Sequence, residues 1–205
     1  MPHHVLPPSA DAPQIVLAVL AAGGSHRLGR AKQLLVKEGQ SLLRSAAKTA
    51  LAAACGPVVV VLGARAACLQ AETADLQVTI VVNDGWASGL ASSVRAAVHA
   101  ADRIAPGASG ILITLADQPR VTPDLLRELV RRHRKKPAHP VACGYAGTVG
   151  VPALFPRSFF PELLRLQGDR GARDLLRDRG SRVEVVPFPG AALDIDTNED
   201  IARGL

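Results

Sequence analysis

Apolar and polar positions follow two rhythms along this chain. A continuous apolar run at Ile15–Leu20 and further runs at Val58–Leu62, Val78–Val82 and Ile111–Leu115, the last two each with one Thr, have the length of buried strands. Between them, apolar residues recur every three or four positions, the spacing of one helix face. Helices are predicted from Leu42 to Ala54, around Ala64–Ala71, and where Leu90, Val94, Ala97, Val98 and Ala101 share a face. Another starts at Pro123 behind Thr122 as N-cap, with Leu125, Leu126, Leu129 and Val130 as its stripe. Strand and helix alternating in this order predict a three-layer α/β/α fold, a mostly parallel Rossmann-like sheet with helices on both faces. Such sheets bind ligands beyond the carboxyl ends of their strands, at a topological switch point.

Past Pro137 the rhythm changes. Short runs at Pro140–Cys143 and Val149–Phe155 are divided by Gly and Pro, which predicts a small hairpin insertion rather than further βαβ units. A charged stretch from Gly168 to Gly180 follows, then a last strand at Val183–Val186. Residues 1–13 carry prolines at positions 2, 7, 8 and 13 and read as a flexible tail rather than a secretion signal. Residues 14–205 read as one domain.

Composition narrows the function classes. Aromatic residues make up only 3% of the chain, so the core is expected to be Ala, Val and Leu, and no base-stacking platform for single strands is expected. The net charge of +6 favours acidic partners such as nucleotides and phosphorylated metabolites. The dense basic run Arg131-Arg132-His133-Arg134-Lys135-Lys136 reads as a solvated helix end, and His99, His133 and His139 as surface residues. No partner role for nucleic acid is expected. Nor is one expected for a membrane, because no apolar stretch reaches the ~20 residues of a spanning helix. Cys55, Cys68 and Cys143 lack ligand spacing and read as reduced thiols of a cytoplasmic protein.

The chemistry concentrates after the first strand, in Leu20-Ala21-Ala22-Gly23-Gly24-Ser25-His26-Arg27-Leu28-Gly29-Arg30-Ala31-Lys32. Glycines let main-chain N–H groups fold into an anion nest, and Arg27 and Lys32 add fixed positive charge. The spacing is neither the dinucleotide fingerprint nor a P-loop. Asp117 lies just past an apolar strand, where a carboxylate can hold Mg²⁺ or simply cap the Asp-Gln-Pro turn. A second carboxylate is expected from Asp194 or Asp196, which share a side if the segment is extended; Asp196 is preferred. No Ser/His/Asp set and no placed cysteine offers a covalent nucleophile. Trp86 reads as a wedge between helix and sheet rather than a base-stacking residue.

The loop resembles the L-A-A-G-x-S-x-R-x-G-x-x-K signature of the MobA-like nucleotidyltransferases, particularly the molybdenum cofactor cytidylyltransferases. Four further stretches resemble that family in order: Asn83 to Arg95, Leu115 to Pro119, Gly147 to Pro152 with Gly168 to Arg173, and Asp194 to Asp200. The resemblance implies Mg²⁺-dependent transfer of CMP from CTP to molybdenum-loaded molybdopterin, with a recipient molybdoenzyme as a further partner. It implies catalytic roles for Arg27, Lys32 and Asp117, and nucleotide contacts from Leu20, Ala21, Ala22, Gly23, Gly24, Gly89, Ser92 and Ser93. It implies acceptor contacts from Gly150, Pro152, Gly168, Asp169, Gly171, Ala172 and Arg173. Ala22, where guanylyl-transferring relatives tend to have Gly, leans the donor towards CTP. Transfer to another phosphorylated metabolite, a redox activity and a non-catalytic cofactor carrier stand as alternatives.

Overall fold

The computed structural model describes residues 14–25, 28–179, 182–193, 195 and 199–200. The expected tail, Arg27, Asp194 and Asp196 lie outside the described residues. Four apolar runs form the parallel half of one sheet: β1 (Ile15–Ala21), β4 (Val58–Leu62), β5 (Thr79–Val82) and β6 (Gly110–Leu115). A two-residue hairpin that the sequence pattern does not predict, β2 (Val36–Lys37) with β3 (Gln40–Ser41), follows the glycine-rich turn.

Both faces of β1 are buried, which is why it reads as an unbroken apolar run. Val16, Ala18 and Leu20 enter one core layer, shared with α3 (Leu90–Ile104), α5 (Phe160–Leu164) and α6 (Ala172–Arg179). Leu17, Val19 and Ala21 enter the other, shared with α1 (Leu42–Ala53), α2 (Ala66–Gln70) and α4 (Pro123–Lys135). The arrangement is the three-layer α/β/α fold. Ser41 caps α1 by accepting from the Arg44 N–H at 3.1 Å, and Thr122 caps α4 by accepting from the Leu125 N–H at 3.3 Å.

The sheet order is β5-β4-β1-β6-β8-β7-β9, where β7 is Val141–Tyr145, β8 is Thr148–Pro156 and β9 is Glu184–Pro187. The hairpin expected after Pro137 is β7 and β8, and it is built into the main sheet: β8 runs antiparallel to both β6 and β7, and β9 parallel to β7. From β1 the chain builds outwards through β4 and β5, then crosses by α3 to β6 on the opposite side of β1. The connections leaving β1 and β6 therefore diverge and open a crevice between them.

The basic helix end is solvated as expected except at His133. Arg131 and Arg132 pair with Glu128, and Lys136 pairs with Glu184. His133 is only 2% exposed, in line with Leu125, Leu126, Leu129 and Val130 on the inward face of α4. A charge-rich neighbourhood in sequence concealed a residue that the helical period turns inwards. Burial holds its pKa below the ordinary value. No helix among the described residues is long and apolar enough to cross a membrane.

Candidate active site

The crevice is a cleft of about 580 Å³, and the glycine-rich turn forms one wall of it. Leu20, Ala21, Ala22, Gly23, Gly24 and Lys32 reach it from the end of β1, and Leu115, Ala116 and Asp117 from the end of β6. The two ends are tied together where the Ala116 N–H donates to the Leu20 carbonyl at 3.1 Å. Among the described residues, the main-chain N–H groups of Gly23 and Gly24 have no hydrogen-bond partner. Two adjacent unpaired N–H groups are the elements of an anion nest.

Lys32 forms an ion pair with Asp117 across the cleft floor, through Nζ and Oδ2. The other carboxylate oxygen, Oδ1, is buried with no hydrogen-bond partner. A buried carboxylate oxygen left unpaired costs free energy unless a cation or donor satisfies it. The donor set fits Mg²⁺, a hard cation that takes one or two protein carboxylates and completes its shell with phosphate oxygens and water. No group of three His, Cys, Asp or Glu that could hold a metal exists among the described residues. The buried Ile195 N–H donates to the Asp117 carbonyl at 3.2 Å, which brings the chain between Asp194 and Asp196 to this turn. Those two carboxylates themselves lie outside the described residues, as does Arg27.

The opposite wall comes from the segment after β5 and the start of α3, with Trp86, Ala87, Gly89, Leu90 and Ser93. Trp86 is half-buried and packs against the core while facing the cleft, so it serves as the expected wedge and as a wall. Ser93 faces the cleft, whereas Ser92 is turned away. The Ser92 hydroxyl donates to the Gly89 carbonyl at 2.8 Å and accepts from Asn83 Nδ2 at 2.8 Å. Asn83 Nδ2 also reaches Ser93 Oγ at 3.1 Å, and Asn83 Oδ1 accepts from the Gly85 N–H at 3.1 Å. Asn83 thus organises this wall, a role that its position at a strand end did not reveal.

Gly89 joins the two expected binding segments. Its φ is +104°, and a Cβ there would lie 2.4 Å from the carbonyl of Gly168. The Ala91 N–H donates to that same carbonyl at 3.1 Å. Beyond Leu20, Leu90 and Leu115 the cleft continues into a compartment of about 220 Å³ with mostly apolar walls, including Val94, Ile113, Tyr145 and Val151. Asp169, Gly171, Ala172 and Arg173 form its rim, and Asp169 also borders the larger cleft. Arg173 donates to Thr148 Oγ1 at 3.0 Å.

Gly150, Pro152 and Gly168, expected on the acceptor side, line neither space. Side chains alternate along β8, so Val151 faces the compartment while Pro152 is buried and Gly150 backs onto the Tyr145 hydroxyl. Gln33 and Gly63 carried no sequence signal. Gln33 lies in the cleft wall, and a Cβ at Gly63 would sit 2.6 Å from that of Trp86.

An unpaired N–H turn beside a carboxylate–lysine pair, at the switch point of a parallel sheet, defines an α/β protein with a candidate anion-binding cleft. Comparison with known proteins agrees. Residues 17–184 match the model of the MobA-like NTP transferase domain. The chain is 33% identical to nicotine blue oxidoreductase of Paenarthrobacter nicotinovorans, over 94% of this chain and 97% of that protein. It is 32% identical to the purine catabolism protein PucB of Bacillus subtilis, over 92% and 94% respectively. It is 28% identical to the molybdenum cofactor cytidylyltransferase of Escherichia coli, over 89% and 91%. Among solved structures, Rv0371c of Mycobacterium tuberculosis superposes with a TM-score of 0.81 at 34% identity, covering 95% of this chain and 98% of that one. Its manganese complex gives 0.77 at 33%, covering 94% and 98%. This chain belongs to the MobA-like NTP transferase family.

Proposed function

We propose that the chain is a divalent-metal-dependent nucleotidyltransferase that moves CMP from CTP onto a molybdopterin-type acceptor, molybdenum-loaded molybdopterin, and releases pyrophosphate. The observation that carries this reading is the unpaired Gly23–Gly24 turn facing Asp117 across one cleft. In this reading the Gly23 and Gly24 N–H groups and the Lys32 ammonium bind the phosphate chain of the nucleotide. An oxygen of the acceptor phosphate forms the new bond to the α-phosphorus. The bond from that phosphorus to the bridging oxygen breaks, and pyrophosphate leaves with the electron pair. No protein nucleophile is needed, so the chain contributes positioning and charge stabilisation.

Asp117 would hold Mg²⁺ together with Asp196 or Asp194, and the manganese complex of the mycobacterial relative supports a divalent ion. When bound, that ion supplies charge stabilisation across the triphosphate oxygens. The apolar compartment suits the flat ring system of the acceptor, with Arg173 at its rim for the phosphate. The likeness to the Escherichia coli cytidylyltransferase supports the acceptor and donor, and Ala22 in the turn supports CTP. A recipient molybdoenzyme would follow as the partner that takes the product.

A second reading rests on the likeness to nicotine blue oxidoreductase, namely an oxidation–reduction reaction in the same compartment. The dinucleotide fingerprint that such an activity commonly uses is absent from the chain. The deciding experiment is pyrophosphate release with Mg²⁺, each of the four NTPs and molybdenum-loaded molybdopterin. CTP-dependent release is expected. Release with another NTP overturns the donor, and silence with all four, alongside oxidation of a reduced nicotinamide by a heterocyclic dye, favours the second reading.

A further inference from the structure

We infer that Gln33 is the positioning residue of the phosphate-binding turn: its side-chain amide sets the direction of the Gly24 main-chain N–H that receives the triphosphate. The inference rests on the nucleotide reading above. Gln33 is only 3% exposed, yet it belongs to the cleft wall. Its Nε2 donates to the Ala21 carbonyl at 3.0 Å and to the Gly23 carbonyl at 2.8 Å. Both amide protons are thereby used, and Oε1 accepts from Ser25 Oγ at 3.4 Å. The opposite orientation would set the amide oxygen against two carbonyl oxygens, so the direction of this group is chemically determined.

Peptide geometry passes that choice on to the ligand. In a trans peptide the carbonyl and the N–H point to opposite sides. With the Gly23 carbonyl turned towards Gln33, the Gly24 N–H of the nest turns away from it, while the Ala22 carbonyl, in the same peptide as the Gly23 N–H, accepts from the Ala64 N–H at 3.0 Å. No neighbour packs on the side-chain side of Gly23, where a Cβ would meet nothing within 4 Å. Glycine has the widest choice of backbone conformations, so an unpacked Gly-Gly turn keeps one arrangement only if hydrogen bonds impose it. The same network reaches the charged residue of the site. Ser25, held at a left-handed φ of 53°, accepts the Lys32 N–H on its hydroxyl at 3.1 Å. Gln33 is thus tied to the nest directly and to the Lys32 main chain through Ser25.

The test is the binding of inorganic triphosphate with Mg²⁺, which reads the nest without base or acceptor, in wild type, Gln33→Met and Gln33→Glu. Gln33→Met keeps the length and loses both donors, and is expected to weaken triphosphate binding roughly tenfold or more well below its melting temperature. Gln33→Glu regains one donor whenever its buried carboxyl is protonated. Its affinity relative to wild type should therefore recover as the pH falls from about 8 to about 5. A residue that merely supports the fold lowers the melting temperature without that pH-dependent recovery. If Gln33→Met does not fold, the Gln33→Glu profile alone decides. Unchanged affinity in Gln33→Met, or a flat ratio across pH in Gln33→Glu, overturns the inference while leaving the nucleotide reading intact. Failure of the wild type to bind triphosphate or any NTP overturns the nucleotide reading itself, and this inference with it.

Discussion

Lys32 and Asp117 stand 85 positions apart in the chain and meet as an ion pair on the floor of the cleft. Lys32 follows the glycine-rich turn after β1 and Asp117 lies just past β6, neighbouring parallel strands whose outgoing connections diverge. The pairing joins the glycine-rich turn to the candidate metal ligand. Asp117→Asn keeps the shape and removes the charge, so pyrophosphate release at saturating NTP should fall by about a hundredfold. A turnover number close to wild type would remove Asp117 from the site.

Gly89 presses against the Gly168 carbonyl with a φ that other residues adopt at a cost. Gly89→Ala should destabilise the protein by about 1–3 kcal/mol and weaken NTP binding, because it pries the start of α3 from the Gly168–Asp169 turn. Gly107→Ala is the control, since a Cβ there meets nothing within 4 Å. Urea denaturation of both variants checks this; equal midpoints would show that the close approach is not needed.

Arg173 sits at the rim of the apolar compartment and not in the larger cleft. Arg173→Ala is expected to raise KM for the acceptor by roughly tenfold while leaving KM for the nucleotide within a factor of about two. A change confined to the nucleotide KM would assign this rim to the wrong substrate.

His133 gives stability a pH dependence. Burial disfavours its charged form, so its folded pKa lies below the unfolded value of about 6.5. The unfolded chain therefore binds the proton more readily. Stability is complete above about pH 6.5 and is lost as the pH falls below it, by at most about 1.4 kcal/mol per pH unit. Denaturation midpoints between about pH 7.5 and 5.5 should fall more steeply in wild type than in His133→Leu. Identical slopes would mean that His133 keeps its proton when folded.

The cysteines should separate by reactivity. Cys143 is buried and its thiol is pushed up to about 12, whereas Cys68 is exposed. Iodoacetamide followed by mass spectrometry of the native protein should label Cys68 and spare Cys143, and prompt labelling of Cys143 would mean that β7 opens readily.

Much of the fold was legible because each local pattern carried a single physical meaning. A strand buried on both faces is predominantly apolar, so β1, β4 and β6 announced themselves; Val58–Leu62 agrees to the residue. The hairpin β7–β8 was legible as a pair of strands, but not its place in the sheet, which depends on backbone pairing with β6. In the site, Lys32, Asp117 and the glycines were conspicuous by residue type. Gln33, Asn83 and Gly63 were not, because their importance lies in the groups they meet: the Ala21 and Gly23 carbonyls, Ser92 and the Trp86 side chain.

By itself the sequence determined the alternation of strands and helices, the apolar core, the glycine-rich turn and the carboxylate past β6, since burial and backbone freedom act through near neighbours. Tertiary structure alone decided that Lys32 faces Asp117, that Gly89 abuts Gly168, and that Ser92 turns away from the cleft and Ser93 towards it. Each of these depends on the strand order and the rotation of a helix about its axis, and those follow only when the whole core packs at once.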